Sequence, residues 1–414
     1  MAPAASAPNL AGPAARGKIL RPETGKAAVA SSRVGAYRLR ARIRWLAPSA
    51  RERNCGLLPV AHALDHPEIV VRTDADTGER RAGWAGILTC GHVWTCPVCS
   101  GNLRAERAER IALAVEHMGG RWQMLTLTIA HHRGMALKDT IAGIMRAIRR
   151  MKQGGAVQRM WADKVTASVR TLETLHGEEN GWHPHVHMLL RTSEWGWDER
   201  IVLLRRWQEC VARELGDKAR PSDTQGLTWS EPFDGALAAN RSLYVTKLGL
   251  ELAGIGKTGK RGNLTTWGIA ELAGARDPRA MLLWKEFHAA TRGRRMIEMD
   301  DRMAQVAKDA KAAKVLAKLL EGDAAGAPLE IPEDLTTRRI RVPRDDLRAL
   351  RMMENSGRHW IFPAVLSAAE AQGELGVRRW VLWAREQAVR PPRLVNPGGE
   401  AEGGAGGPPV AYPP

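Results

Sequence analysis

No run of about 18 or more apolar residues occurs in this 414-residue chain, so no segment of it is suited to cross a bilayer as a helix. The opening stretch, MAPAASAPNLAGPAARGKIL, also lacks the apolar core of a secretory signal. Cysteine is rare: there are five, three of them crowded into CGHVWTCPVC at residues 90–99. That spacing reads as a metal site in a reducing compartment and argues against a disulfide framework. The expected location is therefore the cytoplasm, with no membrane partner. Tyrosine and phenylalanine are scarce too, at three each against 15 tryptophans. Acidic side chains number 45 against 62 basic ones, a formal net charge of +17. An excess of this size draws polyanions, which makes nucleic acid the first partner to consider, although the Arg- and Ala-rich usage of a G+C-rich genome also raises the count.

Residues 1–50 are rich in Ala, Pro, Gly and Arg without sustained periodicity and read as a basic disordered arm. Residues 51–105 hold short strand-like pieces, EIVVRTD and RAGWAGILTC, separated by turn signals, and read as a small cysteine-rich module stapled by zinc. From Asn102 to His117 the spacing of Leu103, Ala108, Ile111 and Val115 predicts a helix whose charged side is solvated or faces DNA. Within 106–300 the order is strand (WQMLTLTIAHH), helix (ALKDTIAGIMRAIRRMK), two strands joined by GEENGW, and two helices (ERIVLLRRWQECVAREL and ALAANRSLYVTKLGLELAG). Such an order suits an α+β fold with an antiparallel sheet and helices on one face. Residues 301–390 read as a helical extension, and 391–414 as a Pro- and Gly-rich disordered tail.

His185 and His187 stand two apart on a strand-forming segment, so both side chains leave one face and can converge on an ion. On a helix they would diverge by about 200°. If the hairpin turns about Glu179, Glu173 lies opposite His185 and has the same parity, placing a carboxylate beside two imidazoles. This mixed set suits Mg²⁺ or Mn²⁺ with positions left open for phosphate oxygens. The alternative third ligand is His131 or His132, at the end of the neighbouring strand.

Of the three tyrosines, Tyr37 and Tyr412 fall in segments read as disordered, which leaves Tyr244. On a helix, Lys247 shares its face and can hold a phosphate beside the phenol. A phenol with pKa about 10 is ionised only about once in a thousand molecules at neutral pH, so a metal must make phosphorus more electrophilic. Cys90, Cys96 and Cys99 offer three thiolates to a tetrahedral zinc, with Cys55 the first choice for a fourth ligand and His92 the second. Cys210 sits in an amphipathic helix as ordinary core.

Together these segments resemble the replication initiators of rolling-circle plasmids, within the wider HUH endonuclease group. Leu125-Thr126-Leu127-Thr128 with His131 and His132 looks like the first motif, GWHPHVHMLL the second and YVTK the third; CGHVWTCPVC is similar to the cysteine-rich segment that precedes them. The likeness runs from about Cys55 to Ile297, more than half of the chain. It implies an HUH core of antiparallel sheet with helices, metal held by His185 and His187, and attack by Tyr244 on one strand of plasmid origin DNA, single-stranded or extruded as a hairpin. It also implies a 5′-phosphotyrosine intermediate and a free 3′-OH for a host polymerase, with a host helicase. Several related initiators carry a glutamate four residues before the tyrosine, where this chain has Asn240; Glu231 or Glu251 is the substitute for the terminating step. An HUH transposase or relaxase would use the same chemistry, and a zinc-containing DNA-binding regulator without catalysis would account for the charge and the cysteines alone.

Overall fold

A computed structural model describes residues 33–60, 67–73, 78–236, 263–323 and 337–389. Its elements, in chain order, are α1 (Arg33–Ile43), α2 (Ala50–Arg53), β1 (Glu68–Thr73), β2 (Arg80–Ala85), α3 (Pro97–Met118), β3 (Arg121–Leu127), α4 (Leu137–Met151), α5 (Gly155–Lys164), β4 (Val165–Gly177) and β5 (Gly181–Thr192). There follow α6 (Trp197–Leu215), β6 (Leu227–Trp229), β7 (Phe233–Asp234), β8 (Leu264–Thr265), α7 (Thr266–Gly274), α8 (Pro278–Thr291), β9 (Ile297–Met299) and α9 (Asp301–Asp323). The last four are β10 (Thr337–Arg341), α10 (Arg344–Asn355), α11 (Ile361–Gln372) and α12 (Glu374–Val389).

The fold is α+β with antiparallel sheets. The larger sheet runs β6-β3-β5-β4-β8, with β7 added to β3 and β9 to β4. Its centre is the long β4–β5 hairpin that GEENGW predicts. Gly177 pairs with Gly181 across a three-residue turn, and Glu173 pairs with His185. Gly181 has φ +75°, and a Cβ there would sit 3.1 Å from the Cα of Arg133, so both the backbone angle and the close approach call for glycine. The helix on 137–151 follows its periodicity closely: Leu137, Ile141, Ile144, Ile148 and Met151 form one fully buried stripe.

Helices cover both faces of this sheet, where the sequence suggests one. Val186, Met188 and Leu190 are buried on one side of β5, while His185 and Leu189 are buried on the other. On the histidine side, Arg104 from α3 and Trp267 from α7 border the same cavity as Glu173 and His187. Arg104 is thus one charged position of that helix that is buried rather than solvated.

The division of the chain near its ends also changes. The strands expected to form a self-contained cysteine module, β1 and β2, pair with each other and with β10 in a separate three-stranded sheet. Their apolar side, Ile69, Val71 and Ala82, shares a second core with Leu347, Leu350, Phe362, Val365 and Trp380 of the C-terminal helices. Neither an 18-residue hairpin nor three amphipathic helices can bury an apolar face alone, which is why segments some 250 residues apart combine.

The first 50 residues are not wholly an arm. From Arg33 the chain forms α1, with Leu39 and Ile43 in the large core and Tyr37 in the second. Arg40 and Arg44 reach Glu354 of α10 at 3.3 and 3.2 Å, and the Glu354 side chain is 1% exposed. Burial works against the Arg40 charge, but Glu354 and Tyr37 more than offset it and hold its pKa above the usual value. Most tryptophans are core; Trp45 and Trp197 are the exposed ones among the described residues.

Replacing Glu354 by Ala leaves Arg40 buried without its partner. The expected loss is about 3–5 kcal/mol of stability, read as a lower urea midpoint for the transition reported by the C-terminal tryptophans.

Candidate metal centre

The pairing of Glu173 with His185, and of Thr171 with His187 one step along, sets the geometry of the centre. Alternation along β4 and β5 then turns the carboxylate and both imidazoles to one face. The Nε2 atoms of His185 and His187 lie 3.1 and 3.5 Å from the same Glu173 oxygen, Oε2. The three side chains are largely buried, and their ligating atoms all fall within 4.8 Å of one another.

The other ring nitrogens are occupied. Nδ1 of His187 shares a hydrogen bond of 2.9 Å with the hydroxyl of Thr126, its cross-strand partner on β3. Nδ1 of His185 faces the His183 carbonyl at 3.5 Å. Holding Nδ1 in this way leaves both Nε2 atoms free to face a ligand, as the outer partners of metal-binding histidines do. Neighbouring Arg104 is buried against this face; desolvation pushes its pKa down to about 9, and the Glu173 carboxylate opposes that shift. A phosphate entering here would meet both a metal-binding set and a guanidinium.

His131 and His132 are not brought into the group. His131 meets His183 instead, Nδ1 to Nδ1 at 3.0 Å, and His132 accepts from the Gly134 amide. Burial pushes the pKa of His183 down to about 4, with His185 and His131 adding to the effect. Thr126 and Arg104 were not singled out as site residues from the sequence. Thr126 had a signal in the LTLT strand, but its opposition to His187 depends on a β3–β5 pairing that no short turn dictates. Glu231 lies exposed in the loop after β6. Tyr244, Lys247, Asn240, Glu251 and Tyr412 lie outside the described residues. Tyr37, described and buried, has its pKa raised by desolvation and serves as packing.

The four cysteines Cys55, Cys90, Cys96 and Cys99 do come together. Cys55 follows α2, Cys90 lies on the loop after β2, and Cys96 caps α3 by accepting from the amide of Cys99. The sulfur separations are 3.8 Å for Cys55–Cys96, 3.5 Å for Cys55–Cys99 and 3.7 Å for Cys90–Cys99. Tetrahedral bonds of about 2.3 Å place thiolates about 3.8 Å apart, so the set fits one metal ion. Hydrogen bonds from Cys90, Cys96 and Cys99, and then the Arg40 charge, hold the Cys55 thiol well below its usual range. His92 is not part of this set; its Nε2 lies 3.0 Å from Glu52. Cys210 is buried on α6 as ordinary core.

Residues 87–213 match the family described as Replication protein. A protein named Protein rep from Streptomyces lividans is 28% identical over 283 residues, 51% of this chain and 62% of the relative. One named Neomycin resistance protein from Streptomyces cyanogenus is 31% identical over 179 residues, 36% of this chain and 41% of the relative. A Protein rep from Bacillus amyloliquefaciens is 33% identical over 149 residues, 35% and 42% of the two chains. The chain thus spans between about two fifths and three fifths of the length of these relatives. No solved structure matches it. Over the segment that carries Cys90 to Cys99, Thr126, Glu173, His185 and His187, this chain is similar to replication proteins.

Proposed function

We propose that this chain initiates rolling-circle replication of a plasmid by nicking and rejoining one strand of origin DNA through a 5′-phosphotyrosine. The observation that carries the reading is the convergence of Glu173, His185 and His187, with both Nδ1 atoms engaged elsewhere, inside a segment similar to replication proteins. In this reading the larger sheet is the HUH core and the four cysteines hold a structural Zn²⁺. The three residues would hold Mg²⁺ or Mn²⁺, which when bound supplies Lewis-acid polarisation of the scissile phosphate.

Arg104 and Lys247 place positive charge around the phosphate. The Tyr244 phenol oxygen forms the new bond to phosphorus and gives up its proton. The 3′ oxygen departs with the electron pair of the broken P–O bond and takes a proton, leaving a 3′-OH for a host polymerase while a host helicase opens the duplex. Thr265 of β8 borders the cavity beside Glu173. The basic excess of the chain supplies phosphate contacts that do not depend on sequence.

Four outcomes are expected. Tyr244→Phe should retain folding and origin binding yet form neither the free 3′-OH fragment nor the protein-linked 5′ fragment with end-labelled origin oligonucleotides on a denaturing gel. An adduct persisting in that variant would move the nucleophile elsewhere, and no adduct with the unaltered protein would favour a non-catalytic DNA-binding regulator.

His185→Ala with His187→Ala should abolish divalent-dependent cleavage and leave binding largely intact. Thr126→Val should instead raise the Mn²⁺ concentration for half-maximal cleavage by about 10–100-fold, read from titrated nicking rates.

Cys96→Ser with Cys99→Ser should remove about one equivalent of zinc by elemental analysis and make the 51–105 segment sensitive to protease. Full zinc retention would refute the cysteine assignment.

A further inference from the structure

A second polar cluster lies beside the four cysteines and takes no part in the nicking centre. Glu52, the third residue of α2, is flanked by His92, from the loop between Cys90 and Cys96, and by His288 of α8. Nε2 of His92 lies 3.0 Å from Oε1 of Glu52, and Nε2 of His288 lies 3.1 Å from Oε2. The two rings are roughly parallel, at 29°, with centroids 6.1 Å apart, so the carboxylate sits between them. Glu52 and His288 are buried, with side chains 7% and 10% exposed, while His92 opens toward solvent at 34%.

We propose that Glu52, His92 and His288 form a further binding site for a borderline dication, with zinc the best fit. An N₂O set of two imidazoles and one carboxylate is the ligand type such ions take, and tetrahedral bonds of about 2.0–2.1 Å put ligand atoms about 3.3–3.4 Å apart. The observed nitrogen–oxygen separations are close to that edge, and all three ligating groups fall within 4.8 Å of one another. Space for a water ligand is present: a cavity of about 30 Å³ is bordered by Glu52, His288, Cys90 and Cys96, above the 10–15 Å³ or so that one water needs. Arg40 and Arg44 border the same cavity, but both are turned to Glu354, which reduces their opposition to a cation.

The site would add a link among three parts of the chain. Glu52 is placed by a capped turn in which Ser49 accepts from its amide, three residues before Cys55. His92 is fixed between two cysteines of the cluster. His288 is held by α8, whose Trp284 and Phe287 are fully in the large core. An ion here would add a side-chain link between the cysteine cluster and α8, beside the direct run of α3 from Cys96 into the large core. This placement is independent of whether Glu173, His185 and His187 act in catalysis.

The test counts metal in the full chain carrying His185→Ala and His187→Ala, so that the nicking centre contributes none. After zinc saturation and passage over a weak chelating resin, two zinc ions per chain are expected, falling to one on adding His288→Ala or His92→Ala, with unchanged far-UV circular dichroism. Titration of the metal-stripped parent with Co²⁺ gives a readout that needs no further variant. One equivalent should develop intense thiolate-to-cobalt absorption, and a second should add only weak visible bands of an N/O site. Binding that stops at one equivalent, or two zinc ions retained in the chain that also carries both His92→Ala and His288→Ala, would overturn the proposal and leave the cluster as a hydrogen-bonded strut.

Discussion

The candidate metal centre depends on a single register. Between β4 and β5, residues pair so that Glu173 faces His185, and the three-residue turn closed by Gly177 and Gly181 holds them there. A slip of one residue would send the carboxylate to the opposite face from the imidazoles and dissolve the group. Several features resist such a slip: the left-handed backbone of Gly181 against Arg133, the apolar alternation of Val186, Met188 and Leu190, and the pairing of β5 with β3 on its other edge. That second pairing also brings Thr126 opposite His187, so the strand that locks the register also orients one of the two imidazoles.

The two cores are joined by α1 and by the cysteine cluster. Leu39 and Ile43 enter one core and Tyr37 the other, with Arg40 and Arg44 meeting Glu354 between them. A buried carboxylate shared by two arginines is poor evidence of net stability, but it strongly specifies where α10 sits relative to α1, since any other arrangement leaves a charge unpaired in the interior. The cysteines lie close by, and the Arg40 charge acts on Cys55. Polar, position-defining contacts of Arg40 and Arg44 with Glu354 thus lie where α1 passes between the two cores.

Local patterning made much of this legible beforehand. Two histidines in i, i+2 spacing, an Asn-Gly turn and a glutamate of matching parity were enough to place Glu173 with His185 and His187, because a hairpin is a local object whose pairing follows from its turn. The C-x5-C-P-x-C spacing, together with Cys55, pointed to the four-cysteine cluster for a similar reason: cysteines close together in sequence leave few partners to find. The helices on 137–151 and 197–215 were readable from periodicity alone.

Other features were beyond local reading because they join distant segments. Nothing in EIVVRTD announces that it pairs with Thr337–Arg341, and a basic, Pro-rich N-terminus hides a helix whose burial depends on a carboxylate 314 residues away. Arg104 looked like one more surface charge in a charged helix, and only the packing of α3 over the sheet buries it against Glu173. His92 was placed among possible zinc ligands by its neighbours in sequence, but folding brings Glu52 and His288 to it from either side. The hairpin, the grouping of Glu173 with His185 and His187, and the cysteine spacing were set by the sequence, since short-range geometry carries that information. Tertiary structure alone decided the second core, the buried arginines and the Glu52–His92–His288 cluster, since each depends on which distant surfaces can bury one another.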